Sequence, residues 1–390
     1  MKKIVFFLSF LCSLLGNGQT QSIYSKIDSK MAVMPKSYAT TTTGIASYIN
    51  ANFNTESDKV RAAFFWTATT ISYDIANINT IDYNTTSEQK INATLSSHKG
   101  VCIHYAEVFN SIANQVGVKS YVVHGYTKQF GAIATVAHAW CSVKIDSKWW
   151  LMDPTWGAGY VDKQKYFRKL NAIYFKMTPS AAIATHMPFD YLWQFLSFPI
   201  SNQEFISGKL EANTTKKKFD FESEILKQEN ALAADKIFDA TVRIEKNGIK
   251  NNLIQDYWIY KKKELENIRQ NETNAKFSIL VTESNQAILL YNDFIGYRNK
   301  QFKPTLPDDV LLKMIQEPKE QLLKCQNQLD YLEPVNEENR TNVTAVRQNV
   351  ASVLEQVKDQ EKFVLDYLSK GKGARKAMFT KMKWFGIPLN

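Results

Sequence analysis

The most constraining feature of the chain is a change of hydrophobic period between residues 100 and 152. After Gly100, apolar residues recur at Val101, Tyr105, Val108, Phe109 and Ile112. That three- and four-residue spacing predicts a helix, which Gly117 closes. The period then falls to two. Ser120–Tyr126, Ala137–Ile145 and Lys148–Met152 predict consecutive antiparallel strands, the last two joined at Asp146-Ser147. A helix followed by a meander of strands is an α+β arrangement.

Around this centre, Asp58 reads as the N-cap of a helix running through Trp66, and the Ser/Thr/Asn-rich stretch Asn77–Thr94 reads as a polar loop. From about Leu210 the texture changes to Glu, Lys, Gln and Leu. Helices are predicted over Phe221–Lys246, Asn252–Arg269, Asn285–Lys300, Asp308–Leu332 and Asn339–Leu368, with Gly248, Pro304, Pro307 and Pro334 as breakers. With 44% hydrophobic and 22% charged residues, general disorder is excluded.

The start of the chain has the form of an export signal: Lys2 and Lys3, the apolar run Ile4–Leu15, then Gly16-Asn17-Gly18 as a cleavage site. That run is too short for a hydrocarbon core of roughly 30 Å. The organisation read is therefore a signal peptide over 1–18, an α+β domain over 19–208 and an all-α bundle or hairpin array over 209–390. An exported, periplasmic or secreted location follows. Of the four cysteines, Cys12 lies in the signal, leaving Cys102, Cys141 and Cys325, an odd number with at least one unpaired thiol.

Three residues carry a candidate chemistry. Cys102 opens the helix, where free N–H groups favour a thiolate and can face an oxyanion. His138 opens one strand of the hairpin and Asp153 ends the other. If Asp146-Ser147 is a two-residue turn, Ile145 faces Lys148 and Asp153 falls opposite Trp140, on the same face as His138 and diagonal to it. Asp153 can then orient His138, whose other nitrogen can take the Cys102 proton. A one-residue slip would move Asp153 to the other face.

Gly100-Val101-Cys102-Ile103-His104-Tyr105-Ala106, His138-Ala139-Trp140 and Trp149-Trp150-Leu151-Met152-Asp153-Pro154-Thr155-Trp156-Gly157 together resemble the transglutaminase-like superfamily. Within it the chain is similar to the branch named after the kyphoscoliosis peptidase, in a bacterial secreted form. Asp58–Ala62 through Trp66 to Asp74, and His186-Met187-Pro188 with Trp193–Leu196, resemble flanking segments of that branch. The resemblance covers roughly Ser22–Gly208. It implies a papain-like transglutaminase core, with the Cys102 helix on an antiparallel sheet, followed by the helical domain. It also implies a cysteine peptidase, amidase or acyltransferase forming a thioester with a peptide or glutamine-type amide, Cys102 being nucleophile, His138 base and Asp153 orienter. Trp66, His104, Trp140 and Trp156 would line the cleft. The alternative is a catalytically silent member of the family that binds or scaffolds in the cell envelope.

Cys141 and His104 depart from the family's usual Asn and Gly. Cys102, His104, His138 and Cys141 could be read as zinc ligands, but residues two apart on a helix and three apart on a strand diverge, so no metal or cofactor is expected. His98, His124 and His186 carry no assigned role. The net charge of +10 is sharpest near the C-terminus, at Lys370, Lys372, Arg375, Lys376, Lys381 and Lys383. Partners expected are a protein or peptide substrate and an anionic envelope polymer or membrane surface at this basic end. No nucleic-acid-binding signature accompanies it.

Overall fold

The structure is a computed structural model, described here for residues 22–78, 85–380, 383–384 and 387–388. The segment read as a signal peptide lies outside the described residues, as do Lys381, Met382, Phe385 and residues 79–84. The chain divides into two compact units, one ending at Ala231 but including Asp239–Ile259, the other formed by Leu232–Phe238 with Tyr260 onward.

The first unit is α+β. Helices α1 (Thr42–Asn52), α2 (Glu56–Thr70), α3 (Ser87–Ser97) and α4 (Cys102–Gln115) precede strands β1 (Ser120–Gln129), β2 (Ala132–Ile133), β3 (His138–Ile145) and β4 (Lys148–Met152). A small hairpin, β5 (Gly159–Asp162) with β6 (Lys165–Arg168), and the strand β7 (His186–Pro188) follow. The antiparallel sheet runs β2-β1-β3-β4, and β7 pairs with β1. Odd positions of β3, Ala139, Cys141, Val143 and Ile145, share a core with Tyr105, Val108, Phe109 and Ile112 of α4. On the opposite face, Trp140 packs with Val123, Trp149 and Leu151.

Asp146 and Ser147 both take positive φ, 49° and 64°, the conformation that a tight two-residue hairpin requires. The register follows: Ile145 faces Lys148 and Cys141 faces Met152. Two expectations nearby are corrected. Thr55, rather than Asp58, caps α2, its side chain accepting from the Asp58 N–H. The polar stretch before Ser97 contains α3, started by a capping box in which Thr86 and Gln89 bond each other's N–H groups. Its Ser/Thr/Asn content mimics a loop, whereas Thr94 and Leu95 are buried and the box supplies the start signal.

The C-terminal region is largely helical: α5 (Phe221–Asn230), α6 (Ala233–Lys246), α7 (Asn252–Asn299), α8 (Asp308–Asp330), α9 (Glu337–Leu368) and α10 (Lys372–Thr380). The predicted helix Phe221–Lys246 is two helices, with Ala231 extended between them. Conversely, Asn252–Arg269 and Asn285–Lys300 are parts of one 48-residue helix, about 72 Å long at 1.5 Å per residue. In the second unit Leu280, Ile315, Leu322, Leu329, Val350, Leu354 and Val357 form an apolar core. At the basic end, Arg375 is held in a fork by Asp308, and Phe379 packs on Phe302, Phe363 and Tyr367. Among the described residues no helix is long and apolar enough to cross a membrane.

Candidate functional site

The site begins with the Asp-Pro step after β4. Asp153 caps the short helix Pro154–Ala158: its Oδ1 accepts the N–H groups of Thr155 and Trp156 at 2.9 and 3.0 Å. Pro154 suits the first helical position because it has no N–H to leave unpaired. Capping fixes the carboxylate and turns Oδ2 toward the sheet face that carries His138. There Nε2 of His138 lies 2.8 Å from Oδ2, the contact anticipated from the hairpin register.

A second imidazole reaches the same oxygen. Nε2 of His186 lies 3.1 Å from Asp153 Oδ2, and its Nδ1 lies 2.8 Å from the Thr185 hydroxyl. β7 delivers it by pairing antiparallel to β1, with Thr127 opposite His186 and Gly125 opposite Pro188. Gly125 makes this approach possible: a Cβ there would lie 2.2 Å from the Met187 carbonyl oxygen and 2.5 Å from the Trp140 ring. The three side chains are buried, His138 at 9%, Asp153 at 0% and His186 at 1% exposure. Their ligating atoms all lie within 4.8 Å of one another.

The electrostatics follow from this sharing. Burial favours neutral His138, but the charge and hydrogen bond of Asp153, with a smaller contribution from the bordering Cys102, outweigh it and raise the imidazole to about 10. Burial would raise Asp153; the two histidines, His138 foremost, overcome it and hold the carboxyl far below its usual range. His186 goes the other way, lowered by burial against the pull of Asp153. The resting cluster is thus an imidazolium, a carboxylate and a neutral imidazole. In His186 the Nε2–H donates to Asp153 and Nδ1 accepts from Thr185.

The expectation of a cysteine enzyme working through a thioester is corrected here. The group assembled is His138–Asp153–His186, a set able to ligate a metal, with no sulfur among its atoms. The peptidase, amidase and acyltransferase assignments fall with it. Cys102 starts α4, half-buried and hydrogen-bonded to His138, though it is not one of the three converging ligand groups.

The other anticipated residues are distributed as follows. His104 accepts the Val101 N–H through Nδ1 at 3.2 Å, and Trp66 is packed in the core at 5% exposure. Trp140 and Trp156 do border the cluster, their rings 6.0 and 5.5 Å from the His138 ring. The four residues weighed as zinc ligands do not converge: Cys141 donates its thiol to the Ala106 carbonyl on the far face. A different trio, His138, Asp153 and His186, does. His186 was given no role because nothing in local spacing ties position 186 to 138; its one signal was the His-Met-Pro segment. All three described cysteines are free.

These features define a transglutaminase-like fold. The profile of the Transglutaminase-like superfamily matches residues 43–154. The chain shows distant kinship to kyphoscoliosis peptidase: it is 33% identical to the human protein over 160 residues, covering 39% of this chain and 24% of that one. With the mouse protein it shares 32% over 156 residues, covering 38% and 23%. The chain therefore matches only about a quarter of these relatives' length. A solved structure described as a TGase is similar over 40% of this chain and 38% of its own, at 23% identity and a TM-score of 0.24.

Proposed function

We propose that the protein is a catalytically silent transglutaminase-like protein, exported by a bacterium, that serves as a binding or scaffolding module in the cell envelope. The observation that supports this is the commitment of Asp153. One oxygen caps a helix through two N–H groups, and the other is shared by two imidazoles. In this reading such a carboxylate braces the end of the sheet. In this reading the first unit is a rigid platform, and the partner is an anionic envelope polymer drawn to the basic C-terminal end. There Lys372 and Lys376 are exposed.

The test has two arms. Full-length protein and its Cys102→Ala variant are incubated with peptide and glutamine-amide libraries, and amine and ammonia release are followed. Neither should turn over substrate; release by the wild type that disappears in Cys102→Ala overturns the reading. In the second arm, cosedimentation with an anionic wall polysaccharide should survive Cys102→Ala and weaken in Lys372→Glu/Lys376→Glu. Indifference to that charge reversal removes the basic end as the contact.

A further inference from the structure

We propose that the β5–β6 hairpin of the first unit binds a carboxylated polysaccharide, with Tyr160 and Phe167 as its stacking surface. This deepens the binding-module reading and rests on it, naming the chemistry of the polymer and a second contact for it.

The hairpin has one anchored face and one free face. Its register sets Tyr160 opposite Phe167 and Asp162 opposite Lys165, so these four side chains share a face. Tyr166 and Arg168 take the other face and are held there. The Tyr166 hydroxyl donates to the Ala158 carbonyl at 3.1 Å. The Arg168 guanidinium donates to the Ala68 carbonyl at 3.2 Å and to the Ser72 hydroxyl at 2.7 Å. On the free face the rings of Tyr160 and Phe167 stack at 5.4 Å and 17°, yet remain 53% and 43% exposed. A cross-strand aromatic pair steadies a hairpin. This hairpin is already held through its other face, so the open rings are surface left for a partner.

The surrounding charges narrow the partner. Lys163 at the turn, Lys165 and Lys169 are exposed, and none of the three forms an ion pair among the described residues. With Arg168 they set four basic residues against the single acid Asp162 between Gly159 and Leu170. Such a surface draws a negatively charged partner, and an ammonium meets a carboxylate as a compact point charge.

Charge alone fits an anionic membrane or an acidic peptide equally well. Asp162 argues against both, because it sits on the stacking face and would repel either. A sugar ring uses all of these groups: its C–H face stacks on an aromatic ring, and its neighbouring hydroxyls donate to a carboxylate. Tyr160 and Asp162 are two residues apart, about 7 Å along the strand. A sugar ring over Tyr160 therefore brings its hydroxyls to Asp162, while carboxyl groups along the chain reach the lysines.

The test uses full-length protein and an oligogalacturonate, a chain of carboxylated sugars, with calorimetry for affinity and saturation-transfer NMR for contact. Irradiating the aromatic protons should carry saturation to the sugar C–H protons. Tyr160→Ala should weaken binding about tenfold, the effect of one lost aromatic contact. Lys165→Glu should weaken it about fivefold. Asp162→Ala is the deciding variant: it removes a negative charge, yet should weaken binding about threefold. Asp162 and Lys165 are exposed and can be changed without disturbing the anchored face, which covers the case in which Tyr160→Ala loses the hairpin. Tighter binding by Asp162→Ala, no transfer from aromatic protons, no binding by the wild type, or unchanged affinity in folded Tyr160→Ala each overturns the site. So does Tyr160-dependent binding of phosphatidylglycerol vesicles or polyglutamate in place of the oligogalacturonate, which assigns the hairpin to a membrane or an acidic peptide. Binding that falls only in Lys372→Glu/Lys376→Glu sinks the hairpin and leaves the binding-module reading. Amide release dependent on Cys102 sinks that reading, whereas the hairpin stands or falls by its own variants.

Discussion

The two units keep their interiors stable by different means. The first buries ionised groups: Arg61 with Asp28, Arg243 with Asp190, Lys216 with Glu204, and the cluster around Asp153. The second buries aliphatic side chains, and among its described residues the buried hydroxyl side chains besides Tyr291 are Thr273 and Ser284. Many of its ion pairs are exposed and lie three or four residues apart on one helix, such as Lys358–Glu355 and Lys362–Asp359. Buried charge demands a matched partner and specifies one arrangement, while aliphatic packing is graded and tolerant.

The largest expected effect breaks the first unit's cluster. Asp153→Ala leaves two buried imidazoles without their shared acceptor and the short helix uncapped. A loss of about 4 kcal/mol is expected from uncompensated buried charge. Urea denaturation followed by tryptophan fluorescence measures it, since the described tryptophans other than Trp384 lie in the first unit. A loss below about 1 kcal/mol would show the cluster to be dispensable.

Leu322→Ala sharpens the other side of the contrast. Leu322 is fully buried in the helical core, and truncation costs about 3 kcal/mol through lost burial and a cavity. Far-UV dichroism should show the earlier transition, and Leu322→Met should recover most of it.

Acidity should separate the units next. Stabilisation from His138, raised from 6.5 to about 10, is complete below about pH 6.5 and lost as pH climbs through 10. His186, lowered from 6.5, costs stability as pH falls below that value. Asp153, held below its usual 3.8, contributes above that pH and loses its contribution in stronger acid. The fluorescence-detected unit should therefore be most stable near pH 6.5, whereas the helical core should respond more weakly. Equal pH profiles for the two signals would erase the distinction. Smallest of all, Lys358→Ala removes a pair whose partners are 41% and 72% exposed, and neither probe should detect it.

Much of the arrangement was written locally. The switch from helical to alternating period marks α4 and the strands within a few residues of their ends. The Asp146-Ser147 turn sets a register that carries Asp153 to His138, because adjacent strands read each other through backbone hydrogen bonds and a side-chain period of two. A site inferred from Cys102, His138 and Asp153 could not include His186, which arrives on a strand whose pairing depends on the close approach at Gly125. The helical region shows the same limit. Propensity marks its helices, but whether 252–269 and 285–300 join, or 221–246 breaks, depends on what each turn packs against.

By itself, then, the sequence determined the α+β character, the hairpin register and the His138–Asp153 contact, because each is encoded over a few residues. Only the tertiary structure decided that Asp153 serves two imidazoles. A second imidazole brought from thirty-three residues away is placed by packing, which no local period records.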